Sequence, residues 1–121
     1  MTKGVKDIKE RTFEFAVRIV KLCQHLDKTP GACRTLSGQL LKAGTSVGAN
    51  VEEAQAGQSR PDFISKNSIA LKEARESHYW LRILIAADIM PEKTLAELRD
   101  KAEEIKRILG SIVVRTKRRT V

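Results

Sequence analysis

The chain has 121 residues, 41% of them hydrophobic, with a formal net charge of +8 and a sequence pI near 9.8. That length suits one domain burying roughly two-thirds of its unfolded surface, and the apolar content excludes a disordered chain. No apolar run approaches the ~20 residues of a membrane-crossing helix, and the start MTKGVKDIKE is polar, so neither a membrane span nor a signal peptide is expected and the cytoplasm is the default compartment.

The charge is uneven. Residues 1–30 carry seven Lys/Arg against four acids and residues 91–121 carry nine against five, so the excess sits at the two chain ends. A basic balance of this size calls for a partner or another reason, an anionic ligand or solubility alone.

The first helix is predicted over 8–28. Asp7 with Glu10 three residues on forms a capping pattern. Phe13, Ala16, Val20 and Cys23 make one apolar stripe, and Phe15, Ile19, Leu22 and Leu26 a second beside it, both at bundle-helix spacing. Cys23 and Cys33 fall at interior-looking positions and read as reduced structural thiols.

The second helix is predicted over 30–56, with Thr29 as N-cap and Pro30 as first helical residue. Cys33, Leu36, Leu40, Ala43, Val47 and Ala54 give its inner face. Gly44 and Gly48 each cost about 1 kcal/mol in a helix interior. Either the helix breaks at Gly44-Thr45, or small residues admit another helix at close range. The apolar spacing stays in phase across both glycines, which favours close approach. Folding the chain back at Gly57, read as a left-handed C-terminal residue, sets Gly44 and Gly48 opposite Ala70 and Ala74. Ser46 and Asn50 read as hydrogen-bonded helix–helix contacts.

The third helix is predicted over 60–88, with Ser59 as N-cap and Pro61 in the first turn. Its apolar residues do not keep to one face. Ala70, Ala74, Leu81 and Leu84 make one stripe, whereas Ile69, Trp80, Ile83 and Ala87 lie round the other side. Coverage this wide implies burial on two sides, in the bundle and against another copy. Ile69, Trp80 and Ile83 are therefore the expected oligomer interface, with Trp80 as anchor.

The fourth helix is predicted over 91–117, starting at Pro91 or at the Thr94 capping box. Leu95, Leu98, Ala102, Ile105, Leu109 and Ile112 form a heptad-like stripe, and the chain closes on the basic tail RTKRRTV. Four helices with short connections make an all-α, up-down-up-down antiparallel bundle. In that topology the start of the first helix, the second turn and the end of the fourth share one pole. Lys3, Lys6, Lys9, Arg11, Arg60, Arg115, Lys117, Arg118 and Arg119 converge there as the expected phosphate-binding set.

Chemistry is thin. His25 and His78 stand on different helices without a triad context. Cys23-x-His25 with Cys33 lacks a second ligand pair for zinc, and no Glu-x-x-His occurs for a di-iron bundle, since Glu76 precedes His78 by only two. The segment GTSVG lacks the lysine of a phosphate-binding loop. No catalytic residue, metal or cofactor is expected.

The runs RTFEFAVRIVKL and QLLKAGTSVGANVEEAQAGQSRPDFISKNSIALKEARESHYWLRIL closely resemble the bacterial four-helix bundle family that includes proteins encoded within 23S ribosomal RNA intervening sequences. The resemblance covers about Arg11 to Arg115. It rests on Gly44, Ser46, Gly48, Asn50, Glu53 and Ala54, then Glu73, Ala74, Glu76 and Trp80-Leu81-Arg82. It implies a ring-like homopentamer with no catalytic residues. It also implies kinship with the accessory variability determinant of diversity-generating retroelements, a basic pentamer that binds nucleic acid and a reverse transcriptase. The expected function is non-enzymatic, oligomeric nucleic-acid binding, for RNA above DNA. The alternative is a protein–protein scaffold, for instance an adaptor for a reverse transcriptase or a ribosome-associated factor.

Overall fold

The computed structural model describes residues 7–119, which form four helices and no strand: α1 (Ile8–Leu26), α2 (Ala32–Ala56), α3 (Arg60–Ala86) and α4 (Glu92–Arg118). Lys3 and Lys6 lie outside the described residues. Short turns reverse the chain between successive helices. α1 packs along α2, α2 along α3 and α3 along α4, whereas α1 and α4 meet more sparingly. The result is an antiparallel four-helix bundle.

Several helix ends have an identifiable chemical cause. Asp7 caps α1, its Oδ1 accepting the Glu10 N–H at 2.8 Å. Ser59 caps α3 by accepting the Asp62 N–H at 3.1 Å, with Pro61 in the first turn. α2 starts two residues later than expected. Gly31 adopts φ +90° as its N-cap, and a chain reversing there leaves Thr29 and Pro30 in the turn. Gly57 ends α2 in an extended conformation, φ −63°, instead of the left-handed one. The left-handed residue belongs to α3: Asp88 has φ +59°. Asp88 N–H donates to Ile85 O at 3.0 Å and Ile89 N–H to Leu84 O at 3.0 Å, the paired bonds of a Schellman ending.

The core is aliphatic, built on Phe15, Ile19 and Leu26 of α1, Leu40, Val47 and Val51 of α2, Leu81 and Leu84 of α3, and Ile105 and Leu109 of α4. In α1 the Phe15 stripe, with Cys23, faces inward. Phe13 and Val20 of the other stripe face solvent, Phe13 at 61% exposure. The reason lies in α2, which runs unbroken through both glycines. A Cβ on Gly44 would stand 2.7 Å from Ile19 Cγ2, and one on Gly48 would stand 3.1 Å from the Thr12 carbonyl oxygen. The glycines thus admit α1, not Ala70 and Ala74 of α3. Seating Thr12 and Ile19 against them rotates Phe13 out of the core, since successive helical residues lie about 100° apart.

Ser46 and Asn50 bond their own helix, Ser46 Oγ to Lys42 O at 2.6 Å and Asn50 Nδ2 to Ser46 O at 2.9 Å. They bridge no helices. In α4 the buried stripe ends on Val113, not Ile112. A straight helix drifts about 20° per heptad from a 3.5-residue repeat, and by the last turn the inward position has moved one residue on.

Candidate nucleic-acid interface

The last turns of α4 carry Ile112, Arg115, Thr116 and Arg119 at the i, i+3, i+4, i+7 spacing of one helix face. The first turn of α3 carries Arg60 and Phe63. Antiparallel packing brings the two sets together, and all six line a shallow recess of about 310 Å³ at one pole of the bundle. Arg60 Nη1 donates to the carbonyl oxygen of Arg119 at 2.8 Å, tying the two helix ends together and satisfying a carbonyl at the α4 terminus. Thr116 Oγ1 donates to Ile112 O at 2.7 Å. Phe63 and Ile112, both half-buried, make the floor.

The electrostatics single out this recess. Elsewhere four arginines are neutralised: Arg11 pairs with Glu104 at 2.5 Å, Arg18 with Glu97 at 2.6 Å, Arg99 with Glu92 at 2.9 Å and Arg107 with Glu103 at 3.0 Å. Among the described residues no carboxylate pairs with Arg60, Arg115 or Arg119. Lys117 and Arg118 are exposed on the same last turn of α4.

The nine cations expected at this pole therefore divide. Arg60, Arg115 and Arg119 converge, with Lys117 and Arg118 beside them. Arg11 is turned into the α1–α4 seam by Glu104. Lys9 is exposed in an indentation that also contains Asp7, Glu10 and Glu52, an acidic setting. Phe63 was not among the expected site residues. Its position three residues after Arg60 signals it, because i and i+3 share a helix face.

Among the expected interface residues, Ile69 is exposed, and Trp80 packs partly on its own core with its indole N–H 3.3 Å from Glu76 Oε1. Ile83 is half-buried in a second recess with Tyr79, Arg82 and Arg99. Phe13, on α1, is more exposed than any of these.

Two titratable groups depart from their usual behaviour. Burial, then the nearby Lys106 ammonium, pushes the His78 imidazole below its ordinary value, although Glu103 Oε1 lies 3.7 Å away. Burial likewise raises the Cys23 thiol, whose Sγ lies 3.4 Å from Ser37 O. Cys23 and Cys33 are both free. Among the described residues no three His, Cys, Asp or Glu side chains group closely enough to hold a metal ion, and no helix is long and apolar enough to cross a membrane.

Fold and site together define a basic four-helix bundle protein with a cationic, aromatic-floored recess at one end. The profile of the 23S rRNA-intervening sequence protein family matches residues 6–111, and the chain belongs to that family. The crystal structure of a protein with unknown function from the S23 ribosomal protein family of Bacteroides thetaiotaomicron is similar to it. The two share 41% identity over 88% of this chain and 98% of that one, with a TM-score of 0.82. A comparison with curated proteins returns no match.

Proposed function

We propose that this chain binds RNA through the α3–α4 recess, as an oligomer and without chemistry of its own. One observation carries the reading. Three guanidinium groups without carboxylate partners among the described residues line a single recess beside a half-buried aromatic ring. Guanidinium donors match phosphate oxygens in geometry as well as charge. The family's name, which ties it to 23S rRNA, supports RNA over DNA.

The test is an anisotropy titration of a labelled RNA across a salt series. Affinity should fall linearly on a log–log plot, and each Arg→Gln change at Arg60, Arg115 or Arg119 should flatten the slope by about 0.7 on single strands. An affinity indifferent to salt, or unchanged in the triple variant, would contradict the proposal. Charge reversal at Arg115, Lys117, Arg118 and Arg119 should abolish RNA binding. RNA binding that persisted while a protein partner was lost would favour the adaptor role instead.

Self-association is part of the same proposal. Phe13, Ile69 and Tyr79 expose apolar surface on α1 and α3, and burying it against another copy would remove it from water. Family kinship adds five as the expected number of copies. A ring would multiply the recess and so raise RNA avidity.

A further inference from the structure

We propose that the recess takes one unpaired nucleotide per subunit, its base against Phe63 and Ile112 and its flanking phosphates on Arg115 and Arg119. This rests on the RNA-binding reading above and narrows it to single-stranded RNA. Bases in a duplex are stacked on their neighbours, and only an unstacked base can lie on an aromatic side chain.

The other aromatic side chains do not offer this combination. Phe13 shares its indentation with Asp7, Glu10 and Glu52, which repel phosphate. Tyr79 lies with Arg82 and Arg99, but Arg99 is already held by Glu92 and Asp100. Phe15 is core. Trp80 is partly packed on the core, its indole N–H facing Glu76. Among the described residues Tyr79 thus has one arginine without a carboxylate partner beside it, Arg82, whereas Phe63 shares its recess with three.

The volume agrees. At about 310 Å³ the recess stands at the low end of small-ligand sites, roughly 300–1,000 Å³, suited to one nucleotide and too small for a duplex. Arg60 spends one of its five N–H donors on Arg119 O, which fixes its plane at the rim while leaving the others for a phosphate. Apart from the arginines, the polar side chain lining the recess is Thr116, already donating to Ile112 O. No amide or carboxylate side chain lines it to read a base edge, so stacking should tolerate any base.

The experiment compares a labelled mixed-sequence single-stranded RNA with the same sequence as a duplex, on the full chain. Wild type should bind the single strand at least about 10-fold more tightly. Phe63→Leu should weaken single-strand binding roughly 5- to 100-fold with an unchanged salt slope, while Phe63→Tyr restores it. Equal affinity for duplex and single strand, or a folded Phe63→Leu protein matching wild type, overturns the stacked-nucleotide proposal but leaves RNA binding standing. Absence of salt-dependent binding to either RNA removes the underlying reading itself. The single-strand and duplex comparison uses wild type alone, so it decides the matter even if the leucine variant does not fold.

Discussion

Arg60 and Arg119, 59 residues apart in sequence, are joined by a 2.8 Å hydrogen bond from the guanidinium of one to the carbonyl oxygen of the other. The bond joins the start of α3 to the end of α4 and holds two of the three recess arginines in register. Arg60→Gln should therefore act twice, removing a phosphate ligand and loosening the last turn of α4. Arg115→Gln, which leaves this tie intact, should cost RNA affinity without fraying α4. Hydrogen exchange at the amides of residues 115–119, in both variants without RNA, separates the two effects.

The α1–α2 seam predicts opposite signs for chemically identical changes. A methyl group on Gly44 meets Ile19 at 2.7 Å, whereas nothing lies within 4 Å of one on Gly38 or Gly110. Overpacking costs about 1–3 kcal/mol against a helix-propensity gain of about 1. Gly44→Ala should thus destabilise by up to about 2 kcal/mol, and Gly38→Ala and Gly110→Ala should stabilise by up to about 1. Urea denaturation of the three variants checks this.

Asp88 occupies the left-handed position of the α3 ending, and its carboxylate sits at the negative end of the helix dipole. Asp88→Gly should relieve both costs and raise stability by up to about 1 kcal/mol, read as a higher denaturation midpoint with an unchanged slope.

His78 makes stability depend on pH. Its folded value lies below the ordinary 6.5 because burial and the cations Lys106, Arg82 and Arg99 outweigh Glu103. The folded state thus favours the neutral ring, and the unfolded chain binds the extra proton. The contribution is complete above about pH 6.5 and is lost as pH falls through the lower folded value. His78→Gln should flatten this part of the curve in denaturation series run between about pH 7 and 5.

Self-association predicts that wild type sediments as an oligomer at micromolar concentration. Phe13→Glu, at an exposed site, should dissociate it without unfolding the protomer if α1 contributes to the contact. Ile69→Glu tests α3 in the same way. A wild type sedimenting as a monomer would contradict the oligomeric proposal.

Much of this fold could be read from residue spacing, because Asp7 and Ser59 have local capping chemistry and the inner faces of α2, α3 and α4 repeat at helical intervals. What resisted was phase and partner. Two adjacent apolar stripes on α1 leave its rotation open, and the docking of Ile19 and Thr12 on the glycines fixes it. Glycines announce close approach but not which helix arrives. The converging charge followed from topology alone, yet its division did not: Arg11 is neutralised by Glu104, 93 residues away. Phe63 joins the recess only through the α4 residues packed beside it, 49 or more positions away in sequence.

The most direct measurement is an NMR titration following the arginine Nε–Hε resonances as single-stranded RNA is added. RNA binding at the α3–α4 recess predicts shifts at Arg60, Arg115 and Arg119 that saturate together, with Arg18 and Arg99 unmoved. Shifts confined to Arg82 and Arg99, or absent from all three recess arginines under conditions where RNA binds, would contradict it.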